Sequence, residues 1–168
     1  MNLGSWSWGF VIASSLFLSS IPPASAANSL VGSATCGDIN IDYSPVMLWP
    51  PNHKLHTIAI SATDTDKDAD TFTVTVSNIT SSQNETPGEG CGQPSGKQGP
   101  DFTGVENTAQ GSDPDGTALT SVQLRAERCA KLGERVYDIE ITCSETNVSG
   151  ESNDTAHLTV IVHKSRSH

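Results

Sequence analysis

Arg135-Val-Tyr-Asp-Ile-Glu-Ile-Thr-Cys143 is the stretch that decides the fold. Tyr137, Ile139, Ile141 and Cys143 alternate with Val136, Asp138, Glu140 and Thr142. A period of two places each set on one face of an extended strand. Moving outward, Thr155-Ala-His-Leu-Thr-Val-Ile-Val162 repeats the pattern with Leu158, Val160 and Val162 inward. Leu119–Arg128 puts Val122, Leu124 and Ala126 on one face. Thr71-Phe-Thr-Val-Thr-Val-Ser77 buries Phe72, Val74 and Val76, and Lys54–Ala62 aligns His56, Ile58, Ile60 and Ala62. A first short strand runs over 45–49 and stops at Pro50-Pro51, because proline cannot donate to a ladder. β-Branched residues and threonine fill every periodic segment, as pleated, half-buried strands prefer, and no amphipathic helix pattern is present. The expectation is an all-β antiparallel sandwich of about seven strands. Residues 79–118 are rich in Gly, Pro, Ser, Asn and Gln. A structureless loop of that length is unusual in a compact domain, so one or two short edge strands are expected inside it.

The chain has 168 residues and a formal net charge of −10. Its first 26 residues carry no charge. They read as a secretory signal peptide: an apolar run from Trp8 to Leu18, then Pro22-Pro23, then the small residues Ala24-Ser25-Ala26. Removal of this leader leaves one domain's worth of chain and no segment able to span a bilayer. Residues 27–42 are expected to form a polar, loosely held N-terminal segment, 43–163 the sandwich, and 164–168 a short tail. The acidic balance argues against nucleic acid and against anionic membranes, both of which call for Lys and Arg.

Three stretches carry a family resemblance. They are Leu48-Trp-Pro-Pro-Asn-His-Lys54, Leu124-Arg-Ala-Glu-Arg128 and Gly133-Glu-Arg-Val-Tyr-Asp-Ile139, with the acidic run Thr63-Asp-Thr-Asp-Lys-Asp68 between the first two. Together they resemble a single immunoglobulin-like module akin to hyalin repeats, as found in secreted and cell-surface bacterial proteins. The resemblance spans residues 43–162. Members often have Ala where Cys143 stands, a Gly-rich turn where this chain has Asn147–Ser152, and longer chains around the module. The resemblance implies a fold and an extracellular setting, without a defined chemistry.

Strands of such a sandwich alternate in direction. Cys36, ahead of the first strand, and Cys143, late in 135–143, then share one pole. Cys91, after 71–77, and Cys129, after 119–128, share the other. The expected disulfides are therefore Cys36–Cys143 and Cys91–Cys129, since bridged Cα atoms lie within about 7 Å. The acids Asp64, Asp66 and Asp68 fall at the first pole, as do Asp113 and Asp115. Crowded carboxylates repel unless a hard cation takes them, so calcium is the candidate ligand. The competing reading is a solvated acidic turn.

At the other pole, Trp49 is expected to pack into the base of the core, with Asn52 and His53 capping neighbouring strand ends. His53 and His56 face opposite sides of an extended chain, which excludes a shared zinc. Arg125, Glu127, Arg128 and Arg135 are expected to form an ion-pair cluster there. Tyr137 is expected to bond its hydroxyl back to backbone, as such sandwiches often do. No phosphate loop or nucleophile elbow is present. The functional expectation is a monomeric, non-catalytic module for adhesion or recognition of an extracellular protein or glycan, with no cofactor beyond calcium. The alternative is a small secreted enzyme or enzyme inhibitor that uses the 79–129 loop region. Four sequons, at Asn78, Asn84, Asn147 and Asn153, would matter only in a glycosylating host.

Overall fold

The computed structural model describes residues 30–66, 71–83, 100–112, 116–129, 131–147 and 150–164. Ten strands follow one another: β1 (Gly32–Cys36), β2 (Ile39–Ser44), β3 (Met47–Leu48), β4 (Leu55–Asp64), β5 (Thr71–Ser81), β6 (Phe102–Thr103), β7 (Thr108–Ser112), β8 (Thr117–Arg125), β9 (Arg135–Asn147) and β10 (Gly150–Val162). They form two five-stranded sheets, ordered β1-β2-β4-β8-β6 and β3-β10-β9-β5-β7. Every pairing is antiparallel except β3 with β10.

One apolar core joins the sheets. Ile39, Ile41, Ile58, Ile60, Val122 and Leu124 come from the first; Phe72, Val74, Tyr137, Ile139, Ile141, Leu158 and Val160 come from the second. Each set is the inward half of a period-two pattern, so burial of that face selects both strand and register. The Cys36–Cys143 disulfide crosses between the sheets, from the end of β1 to β9, with Cα atoms 6.1 Å apart. The pairing inferred from shared poles is the one present. Cys91 lies outside the described residues.

Two expectations are corrected here. Among the described residues there are ten strands, not about seven. Part of the excess lies in residues 27–42, where a loosely held segment was expected and a β1–β2 hairpin stands instead. Ile39, Ile41 and Tyr43 alternate with Asn40, Asp42 and Ser44, and all three enter the core. The Tyr43 hydroxyl also donates to Thr159 O and accepts from Thr159 N, each at 3.2 Å, covering part of the β10 edge. β6 and β7 arise within the Gly- and Pro-rich region. There Gly111 lies against the Phe72 ring, where a Cβ would collide with it.

The second correction is Trp49, which is 43% exposed rather than packed in the core. Leu48 occupies the inward position of β3, at 2% exposed, and its neighbour is turned outward by strand alternation. Among the described residues no helix is long and apolar enough to cross a membrane.

Candidate functional site

The polar residues of the three motifs gather where β4 begins, β8 ends and β9 begins. Asn52 Oδ1 accepts from Lys54 N at 3.1 Å and lies 3.2 Å from His56 Nε2. His53 takes a left-handed backbone with φ of 60°. It donates its N–H to Ala126 O at 3.0 Å, while Ala126 N donates to Lys54 O at 2.8 Å. These bonds carry the β4–β8 ladder past its last paired residues. His53 Nδ1 is 3.3 Å from Oε2 of Glu127, a buried carboxylate.

Two arginines organise the rest. Arg125 Nη1 donates to His53 O at 2.8 Å, and Nη2 donates to Pro100 O at 2.9 Å. Arg135, 3% exposed, donates from Nη1 to the Tyr137 hydroxyl at 2.9 Å and from Nη2 to Gln83 O at 3.3 Å. The Tyr137 hydroxyl in turn donates to Arg125 O at 2.9 Å. Asp101 is the shared counter-charge, 3.7 Å from Arg125 Nε and 3.3 Å from Arg135 Nη1. Gln83 adds a second hub: its amide donates to Glu134 O and Gly133 O, and its carbonyl accepts from Cys129 N at 2.7 Å. Arg128 Nη1 donates to Gly133 O at 3.4 Å. The ion pairs of Arg125 and Arg135 thus run to Asp101, which no sequence pattern marked. Chemically the arrangement is a clamp. Planar guanidinium forks bond several backbone carbonyls at once, and none of these contacts presents an activated nucleophile.

The opposite pole is acidic. Asp64 continues the inward row Ile58, Ile60, Ala62, and Glu145 continues the inward row Ile139, Ile141, Cys143. Both carboxylates are therefore buried, at 4% and 6% exposed, although each belongs to a charged residue type. Beyond β4 the chain turns. Thr65 donates to Asp38 O from its amide (3.1 Å) and its hydroxyl (2.6 Å), and Asp66 N donates to Asp64 Oδ1 at 3.2 Å. Carboxylate oxygens of Asp64, Asp66 and Glu145 lie within 4.8 Å of one another. Among the described residues this is the only such group of three. A hollow of about 200 Å³ beside it is lined by Asp38, Glu145, Ser152, Asp154 and the Cys36–Cys143 bridge.

Of the five acids proposed from sequence, Asp64 and Asp66 meet here, while Asp68, Asp113 and Asp115 lie outside the described residues. Glu145 was missed. Its signal was the period-two row that runs two residues beyond Cys143. His53 and His56 keep separate partners and do not converge.

No family model, curated protein or solved structure gives a significant match to this chain.

Proposed function

We propose that this chain is a secreted, non-catalytic immunoglobulin-like module for adhesion or recognition, tied by a second disulfide between Cys91 and Cys129. One observation carries the non-catalytic reading: Arg125, Arg135 and Tyr137 are bonded to backbone and to one another at the motif pole, and the buried carboxylate of Glu127 is paired with His53 of the same motif cluster. Groups held this way orient the chain rather than a substrate. A disulfide between the sheets favours an oxidising compartment, as does the uncharged leader. The immunoglobulin-like assignment rests on the three motifs and the two facing sheets.

The test is a panel of chromogenic ester, glycoside, phosphate and peptide substrates, applied to the chain lacking residues 1–26. No turnover above buffer is expected. Turnover that falls to background in Glu127→Gln, with unchanged melting temperature, would replace this reading with the enzymatic one.

For the acidic pole we propose weak calcium binding by Asp64, Asp66 and Glu145. Three carboxylates at this separation supply hard oxygen ligands, and water can complete a shell of six to eight. A ligand that binds only the folded state stabilises it by RT ln(1 + [L]/Kd). For affinities typical of extracellular modules, millimolar calcium is expected to add about 0.4–1.4 kcal/mol. Magnesium is expected to add less, because it demands strict octahedral geometry. Thermal unfolding in EGTA, calcium and magnesium at matched ionic strength measures this, and equal melting in all three removes the cation.

A further inference from the structure

Charge is divided between the two poles of the sandwich. Every described Lys and Arg lies at the motif pole, where β4 and β9 begin and β8 and β10 end: Lys54, Arg125, Arg128, Lys131, Arg135 and Lys164. Three described acids accompany them there, Asp101, Glu127 and Glu134. Asp138, the next acid along β9, is paired with His157. At the other pole stand Asp38, Asp64, Asp66, Glu145, Glu151 and Asp154, with no Lys or Arg among the described residues. β4 runs from one pole to the other, and its ten residues span about 30 Å. That distance is several screening lengths at physiological ionic strength, roughly 8 Å each. A partner at the motif pole therefore meets local positive charge, although the whole chain carries −10.

Shape follows the same division. Between β8 and β9 the chain makes a turn, with Leu132 N donating to Cys129 O at 3.1 Å. Lys131, Leu132, Gly133 and Glu134 are all exposed, and a Cβ at Gly133 would meet nothing within 4 Å. The turn is a knob carrying a cation beside an apolar side chain. The opposite pole holds the hollow of about 200 Å³, smaller than a site for a drug-sized ligand and suited to one side chain. It is lined by the buried Cys36–Cys143 bridge and Ile39, by the buried carboxylate of Glu145, and by the exposed acids Asp38 and Asp154. A lysine matches that lining, since its methylene stem packs on apolar surface while its ammonium stays with the polar groups. We propose that copies of this chain associate head to tail, in place of the monomer expected from sequence, with the β8–β9 turn of one seating Lys131 in the hollow of the next. Exposed Lys54 and Lys164 at one pole, and exposed Asp66 and Glu151 at the other, extend the charge match. Knob and hollow lie at opposite ends, so the contact is heterologous and each added copy offers a new end.

The experiment is sedimentation velocity of the chain lacking residues 1–26 over a range of concentrations, in EGTA so that the carboxylates carry no calcium. Salt is set at about 0.1 M and about 1 M, where the screening length is roughly 10 Å and roughly 3 Å. The expected result at the lower salt is growth with concentration past the dimer, weakened about tenfold or more at the higher salt. Lys131→Glu and Asp38→Lys/Asp154→Lys are each expected to weaken association about tenfold or more at the lower salt. All three residues are exposed, and melting temperatures verify folding. Mixing the two variants is expected to restore association, because the mixture contains an intact knob and an intact hollow. A parent that is monomeric throughout, a symmetric dimer that grows no further, or association that survives Lys131→Glu overturns the proposal. A monomeric parent retained by a poly-glutamate resin would overturn it in favour of an acidic partner at the motif pole.

Discussion

Cys36→Ala/Cys143→Ala is expected to lower the unfolding free energy by about 4–5 kcal/mol. The two residues are 107 apart in sequence. In the chain-entropy model a bridge closing a loop of that size removes roughly 4.7 kcal/mol of denatured-state freedom. The native state loses an additional link, because the bond joins β1 of one sheet to β9 of the other and both cysteines are buried. Urea unfolding at 25 °C measures the change. The dependence on denaturant should also steepen, since the unbridged chain expands further on unfolding. A loss below about 1 kcal/mol would mean that β1 and β2 are held by packing alone.

Arg135→Met is expected to cost about 3–5 kcal/mol. Arg135 is buried and bonds Asp101, the Tyr137 hydroxyl and Gln83 O. Removing Arg135 leaves Asp101 with only its longer contact to Arg125 and takes the buried donors from the Tyr137 hydroxyl and Gln83 O, and breaking such a partly buried network at one partner is the costly case. Replacing both partners is cheaper, so Asp101→Leu combined with Arg135→Met should recover part of the loss. The double-mutant coupling should reach at least about 1 kcal/mol. Arg135→Lys should not rescue, because a single ammonium cannot reproduce the fork that reaches Tyr137 and Gln83 together. Additive effects in the cycle would show that Asp101 and Arg135 act independently.

The long alternating runs were legible before any coordinates. Phe72, Val74, Val76, Val122, Leu124, Tyr137, Ile139, Ile141, Leu158 and Val160 all point inward where period two places them. The β1–β2 hairpin was harder to read, because Ile39-Asn-Ile-Asp-Tyr43 is brief and flanked by polar residues. Trp49 was misplaced because composition argues that a large aromatic is buried. In a two-residue strand only one side chain can face the core, and Leu48 holds that place.

The candidate sites divide in the same way. Asn52, His53, Arg125 and Tyr137 could be nominated from local motifs, and the Cys36–Cys143 pairing from strand direction alone. Asp101 and Gln83 could not. Each is a single polar residue without periodicity or motif, and its role exists only because Arg125 and Arg135 arrive from β8 and β9. Glu145 belongs between these cases: its inward direction is set by alternation along β9, but its meeting with Asp64 and Asp66 requires two sheets to close. The sequence by itself therefore determined the long strands, which of their faces are buried, and that Cys36 and Cys143 share a pole, since those follow from period two and chain direction. Only the tertiary structure decided which strands are neighbours and which acid pairs with Arg125 and Arg135, because each depends on register between segments distant in the chain.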